Sequence, residues 1–126
     1  MQKKIFIGIQ VLAGLMLVVF GSNKFFGFIS MAPPAPEMGA FVGALFSTGY
    51  MKELVAVVEI LAGVAFLANK YAALLAVVLM PVMLNALLAH LFLDPAGMGG
   101  ALVLTLLTVG VMYTHREQYT RILQPN

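Results

Sequence analysis

Long apolar stretches, separated by short polar turns, run through the whole chain. From Ile5 to Asn23 no residue is charged, and the basic pair Lys3 and Lys4 comes directly before this stretch. A helix needs about 20 apolar residues to cross about 30 Å of hydrocarbon. The pattern therefore predicts a first transmembrane helix over residues 5–28. A signal peptide has a similar pattern, and we interpret the segment as a retained first span.

A proline-rich loop and a short helix follow the first span. Pro33, Pro34 and Pro36 prevent the helix from continuing, because proline lacks the backbone N–H and clashes with the preceding turn. Residues 37–49 then predict a helix, with Glu37 in the first turn, where a negative charge meets the positive end of the helix dipole. This helix is too short to cross a membrane, so we expect it to lie at the membrane interface.

Three further apolar segments predict three further transmembrane helices, over residues 52–69, 71–93 and 98–114. The turn after residue 93, Asp94-Pro95-Ala96-Gly97, consists of residues that favour tight turns. The predicted fold class is an all-α membrane protein, a four-transmembrane-helix bundle with a short interfacial helix between spans 1 and 2. Residues 1–126 form one integral membrane domain.

Composition supports a membrane environment and excludes several function classes. Hydrophobic residues make up 62% of the chain and charged residues 10%, against about 45–50% and about 25% in typical soluble domains. The chain has no cysteine, which excludes disulfides and thiol redox chemistry within it. A net charge of +2 is too small and too dispersed for a nucleic-acid surface. The lipid bilayer is therefore the predicted partner, and nucleic acid is not.

The distribution of basic residues predicts the orientation. Cytoplasmic loops carry an excess of lysine and arginine. With the N-terminus inside, only Lys24 and Lys52 fall toward the other side of the membrane. Both termini are therefore predicted to be cytoplasmic. The five basic residues on the cytoplasmic side are Lys3, Lys4, Lys70, Arg116 and Arg121.

Polar residues inside the predicted spans are the candidate functional residues. A charged side chain near the centre of a bilayer costs about 2.5–3.5 kcal/mol, so it usually faces the bundle interior and finds a partner. Counting residues from the helix ends places Lys24, Glu59, Asn85 and His90 at similar depths in the outer half of the membrane. With Asn23 they form a candidate pocket. Lys24 and Glu59 are either a structural ion pair or the lining of an open polar cavity.

Two alternatives concern the third span. Pro81 and Asn85 lie four residues apart on one helix face. They mark either part of the pocket or a kink at which Asn85 bonds to a neighbouring helix. His90 is interpreted as an interfacial hydrogen-bonding residue, and no metal site is predicted, because ligands at suitable spacing are lacking. In the short helix, Gly39 and Gly43 have the spacing of a close helix approach.

The order of several short motifs resembles a known family. The motifs are Asn23-Lys24-Phe25-Phe26-Gly27-Phe28, Thr48-Gly49-Tyr50, Glu59 with Gly63, Pro81 with Asn85, His90 through Asp94-Pro95-Ala96-Gly97, and His115-Arg116-Glu117-Gln118-Tyr119. Over nearly its whole length the chain resembles the DoxX-like family, which includes the DoxD-type subunits linked to quinone. The resemblance implies a four-helix bacterial inner-membrane protein connected to sulfur or oxidative-stress redox systems.

Three functions fit these residues. The first is an accessory or assembly subunit of a membrane redox complex, with a polar pocket in the outer half and other membrane subunits or further copies as partners. The second is an oxidoreductase subunit that binds a quinone or another small molecule, and quinone is the one candidate cofactor. The third is a small oligomeric transporter. The chain offers no complete catalytic set, so a non-catalytic subunit is predicted rather than an independent enzyme.

Overall fold

The computed structural model describes residues 2–126, and over this range its secondary structure consists of helices without strands, which confirms the all-α fold class. A short 3₁₀ helix, Pro95–Gly97, leads into the fifth α-helix. The α-helices in chain order are α1 Gln2–Phe26, α2 Pro36–Phe46, α3 Met51–Ala68, α4 Ala72–Leu93, α5 Met98–Thr114 and α6 Arg116–Tyr119.

Three helical segments within residues 2–126 are long and apolar enough to cross a membrane: α1, α4 and Pro95–Thr114. They are the signature of a multi-pass membrane protein. Helix α3 occupies the remaining predicted span and has 18 residues. It carries Lys52, Glu53 and Glu59 within those 18 residues, whereas the charged residues of α1 lie near its two ends and leave an uncharged stretch between them.

Residues with left-handed backbone conformations lie at the ends of α1 and α3 and before α4. Gly27, at φ +62°, follows the last residue of α1, so the helix stops two residues before the predicted boundary. Asn69 caps α3 at φ +53°, and Tyr71 precedes α4 at φ +59°. Glycine and asparagine tolerate this region, whereas an aromatic residue there is uncommon. The connection from α3 to α4 is therefore short and sharply turned.

The four long helices form a ring in the order α1, α3, α4, α5, in which each packs against two neighbours. Helices α1 and α4 consequently lie on opposite sides of the bundle. The fully buried side chains Leu17, Phe66, Leu79 and Val111 come from all four helices and fill the centre. Helix α2 packs against α3 and α4 and buries Met38.

Glycines allow α1 and α3 to approach closely. A Cβ on Gly63 would lie 2.8 Å from the carbonyl oxygen of Gly14, and a Cβ on Gly14 would lie 3.0 Å from that of Gly63. Only glycine fits at such a backbone contact. Gly39 and Gly43 in α2, which have the spacing expected of a close approach, have no such neighbour among residues 2–126. The close contact is therefore made between α1 and α3.

Hydrogen bonds define the two ends of the bundle. At the Lys3 end, the side chain of Gln10 bonds to the carbonyl oxygen of Phe66 and to His115, and Tyr119 bonds to the carbonyl oxygen of Ala73. The start of α1, the end of α3, the start of α4 and the end of α5 therefore meet there. At the opposite end, called the Lys24 end, lie the end of α1 and the start of α3.

Candidate functional site

The α1–α3 contact positions Glu59 beside Lys24. A Cβ on Gly21 would lie 3.2 Å from both the carbonyl oxygen of Ala56 and the Cβ of Glu59. Gly21, which stands one turn before Lys24 on α1, thus leaves room for Glu59 in the interface between α1 and α3. Glu59 is buried, and its neighbours on the same face of α3 are small or apolar.

Lys24 and Glu59 form a direct ion pair. The Lys24 Nζ donates to Glu59 Oε2 at 2.8 Å, a distance typical of a charge-assisted hydrogen bond. The Glu59 side chain is 7% exposed and that of Lys24 is 24% exposed. Each charge is neutralised by the other, so the carboxylate is engaged by a partner inside the protein.

The side chain of Asn23 is engaged by the backbone next to it. Its Oδ1 accepts a hydrogen bond of 2.7 Å from the backbone N–H of Ile29, and its Nδ2 donates at 3.4 Å to the carbonyl oxygen of the same residue. The backbone N–H of Gly27 in turn donates to the Asn23 carbonyl. Asn23 therefore holds the turn that leaves α1, which is a local structural role.

His90 lies in a second polar group near the Lys24 end. Its Nδ1 is buried and has no hydrogen-bond partner among the described residues. A Cβ on Gly97 would lie 3.3 Å from this nitrogen and 2.9 Å from Asp94 Oδ2. Asp94 Oδ2 accepts a long hydrogen bond, 3.4 Å, from the backbone N–H of Ala35. The histidine and the aspartate thus flank Gly97 at the turn between α4 and α5.

Asn85 does not join Lys24 and Glu59. Its side chain is exposed on α4, and it makes no side-chain hydrogen bond to any other described residue. The exposed face of α4 is otherwise apolar and continues along the helix. It consists of Leu74, Val77, Val78, Pro81, Leu84, Asn85, Leu88, Leu91 and Phe92. We call these residues the exposed α4 face.

A polar network at the Lys3 end involves a residue that the sequence analysis passed over. Gln10 is 7% exposed, and its Nε2 donates at 2.9 Å to the Phe66 carbonyl and at 2.9 Å to Asn69 Oδ1. Its Oε1 lies 2.9 Å from His115 Nε2. Gln10 thereby joins the three helices α1, α3 and α5. A polar side chain within a predicted span is costly to bury. This argument was used for Asn85, and it would have identified Gln10 as well.

The network determines the tautomer of His115. Because both protons of the Gln10 amide are donated, its Oε1 must accept, and Nε2 of His115 must carry the proton. The other ring nitrogen, Nδ1, lies 3.2 Å from Gln118 Nε2 and accepts from it. Burial lowers the pKa of His115, because desolvation disfavours the charged imidazolium. The neutral imidazole is the form that this network stabilises.

A cavity of about 610 Å³ opens beside this network. Its lining combines apolar residues, among them Phe6, Val11 and Leu67, with polar ones. The polar lining residues are Gln2, Lys3, Gln10, Asn69, Thr114 and His115. A smaller cavity of about 190 Å³ lies nearby, between the start of α4 and Tyr119. Neither cavity is lined by Lys24, Glu59, Asn85 or His90.

The described residues contain no group of three or more histidine, aspartate or glutamate side chains that could hold a metal ion. Comparisons of the chain with protein-family models, with curated proteins and with solved structures found no match. The chemistry of the polar groups must therefore be judged on their geometry. They form a closed ion pair, a polar turn, an exposed amide and a network beside a cavity.

Proposed function

We propose that the chain is a four-span accessory or assembly subunit of a membrane complex, and that it binds a transmembrane helix of another subunit through the exposed α4 face. The observation that carries the proposal is the position of Asn85. An amide without a hydrogen-bond partner costs about 4–8 kcal/mol on transfer from water to hydrocarbon. A helix that supplies a partner for Asn85 would remove this cost.

Helix α3 serves as the fourth span in this proposal. Its 18 residues extend about 27 Å at about 1.5 Å per residue, close to the thickness of the hydrocarbon core. Lys52 and Glu53 lie in its first turn, where they reach the headgroups. Glu59 is neutralised by Lys24. The charges of α3 are thus compatible with a span, and α2 is short enough to lie at the interface.

The charges at the two ends support an orientation with both termini in the cytoplasm. The Lys3 end carries five basic residues and a single acidic residue, Glu117. The remaining acidic residues, Glu37, Glu53, Glu59 and Asp94, lie toward the Lys24 end. The excess of lysine and arginine on the cytoplasmic side of membrane proteins favours placing the Lys3 end there.

The DoxX-like motifs support two finer parts of the proposal, a bacterial inner membrane and a redox complex.

Small residues do not offer a second docking surface on α1 or α3, because Gly14 and Gly63 are already in contact. The exposed α4 face remains available along its whole length. Asparagine side chains form hydrogen bonds across helix–helix interfaces in membranes, so Asn85 distinguishes this face from the purely apolar faces that contact lipid.

Binding of a quinone at Lys24 and Glu59 is less favoured by the geometry. A quinone headgroup needs free donors and room for a ring, whereas Lys24 is engaged by Glu59 at 2.8 Å. Asn85, another residue of the candidate pocket, lies on the exposed face of α4. Helices α1 and α4 are also opposite one another in the ring.

Site-specific photo-crosslinking tests the docking face. A benzophenone side chain replaces Leu88 on the exposed α4 face, or Val57 on α3 as a control. These positions are 49% and 44% exposed and lie at similar distances from the Lys24 end. Irradiation of intact membranes should give a protein adduct from position 88, identified by mass spectrometry as an integral membrane subunit of a redox complex, and only lipid adducts from position 57.

Two results would contradict the proposal. Adducts of equal yield from positions 88 and 57 would show that no face is preferred. An adduct consisting solely of a second copy of this chain would replace the accessory role with self-association. Introducing Asn85→Leu together with the probe at position 88 should lower the yield of the expected adduct, because the hydrogen bond across the interface is lost.

A further inference from the structure

We propose that the 610 Å³ cavity at the Lys3 end binds one anionic phospholipid, with its phosphate at the polar lining and an acyl chain along the groove between α1 and α3. The site is distinct from the exposed α4 face and requires only that the chain lies in a membrane. A failure of the docking proposal would leave it unaffected.

The apolar and polar lining residues of the cavity match the two parts of a phospholipid. Val11 and Leu67 are 40% and 41% exposed and border the cavity from α1 and α3, where acyl chains of the bilayer would reach them. Lys3, Asn69 and His115 are among the polar lining residues. An amphipathic molecule with a polar head and an apolar tail suits both kinds of residue, whereas a wholly polar solute suits one.

Charge at this end selects an anionic head. Lys3 makes no ion pair with any described residue. The other basic residues of this end are Lys4, Lys70, Arg116 and Arg121, and the single acidic residue is Glu117. Basic pockets at the cytoplasmic ends of transmembrane helices commonly bind phosphate headgroups, and each nearby lysine or arginine contributes to the attraction.

The polar network makes the cavity a built site. Gln10 is 7% exposed and its amide is fully engaged, which holds Asn69 and His115 in place. Gln10 bonds to Oδ1 of Asn69 and leaves its Nδ2 free of that contact, so Nδ2 can donate a hydrogen bond to a phosphate oxygen. Lys3 and Asn69 both line the cavity. An ammonium and an amide donor suit a phosphate better than the carbonyl of an uncharged ring, because the phosphate also carries a charge opposite to that of the ammonium.

Native mass spectrometry of the full chain tests the site. The protein is purified in mild detergent and exchanged into nanodiscs containing equal amounts of phosphatidylglycerol and phosphatidylcholine, and the retained lipid is measured after release. We expect one phosphatidylglycerol to be retained in preference to phosphatidylcholine. Lys3→Gln should lower its retention about fivefold. The control Lys52→Gln removes the same charge at the opposite end and should leave retention unchanged.

A second variant and a competition complete the experiment. Val11→Trp fills the apolar side of the cavity at an exposed position, and it should lower retention while circular dichroism shows unchanged helicity. Equal retention of both lipids, or equal losses with Lys3→Gln and Lys52→Gln, would overturn the proposal. Displacement of the lipid by added ubiquinone at an equal concentration would also overturn it, because the cavity would then prefer an uncharged ring.

Discussion

Removal of one partner from the Lys24–Glu59 pair should destabilise the protein more than removal of both. We consider Lys24→Met, Glu59→Leu and the double variant, whose apolar side chains have volumes close to those they replace. A buried ion pair broken on one side leaves a charge without compensation, whereas an apolar replacement of both residues is often neutral or stabilising. The order of stabilities therefore distinguishes an interacting pair from two independent residues.

Burial determines the expected magnitudes. In Lys24→Met the remaining carboxylate belongs to a side chain that is 7% exposed, so the loss should approach the range for buried pairs, about 3 kcal/mol. In Glu59→Leu the remaining ammonium belongs to a side chain that is 24% exposed. It can turn toward the headgroups on its flexible stem, which limits the loss to about 1–2 kcal/mol. The double variant should lie within about 1 kcal/mol of the wild type.

The assay is reversible unfolding in mixed micelles, with increasing denaturing detergent and helicity as the signal. The coupling energy is obtained from the four free energies of unfolding, and we expect a magnitude of about 4–5 kcal/mol, because the two single losses nearly vanish in the double variant. Lys52→Met is the matched control, because Lys52 and Glu53 are 3.9 Å apart and largely exposed. It should change stability by less than about 0.5 kcal/mol. Losses that add in the double variant would refute the interaction between Lys24 and Glu59.

Three further predictions concern packing and the polar network. Gly63→Ala should cost about 1–3 kcal/mol of unfolding free energy, because the new Cβ would lie 2.8 Å from the Gly14 carbonyl oxygen. Gly43→Ala, with nothing within 4 Å, should stabilise slightly in the same unfolding assay. Gln10→Leu should cost about 1–3 kcal/mol, because its buried partners lose their hydrogen bonds; equal stability by denaturant titration would contradict this. Burial holds the pKa of His115 below its ordinary value of 6.5. The unfolded state therefore binds more protons than the folded state, and the wild type should lose stability as the pH falls from 6.5 toward the lowered pKa. His115→Gln should remove this part of the pH dependence, and equal slopes in both proteins would show that His115 does not contribute.

The positions of the helices follow closely from the sequence. Apolar runs, prolines and turn residues predict five segments, and a helix occupies each of them. The pattern is strong because hydrocarbon requires long, uncharged and continuous segments. Helix α1 begins before residue 5, its predicted start, because charged residues at a helix end do not prevent helix formation. Its end was missed by two residues, since the left-handed Gly27 is a local backbone feature.

Side-chain placement was less predictable. Equal depth suggested that Lys24 and Glu59 could meet, and the two form an ion pair, but depth carries no information on the direction in which a side chain points. Asn85 was therefore expected in the same pocket, although it lies on the exposed face of α4. Helix order around the ring determines which faces meet, and it depends on contacts such as Gly14 with Gly63 that the spacing within one helix does not reveal.

The most direct test of the docking role is the association of the Asn85→Leu variant with its partner subunit in membranes. The partner is first identified by crosslinking from position 88, and the fraction bound is then measured by energy transfer between labelled subunits in vesicles at several protein-to-lipid ratios. Loss of an interhelical hydrogen bond should weaken association about 3- to 30-fold. Val57→Leu, on the exposed side of α3, should leave it unchanged. Association of Asn85→Leu at wild-type strength would contradict a docking role for the exposed α4 face.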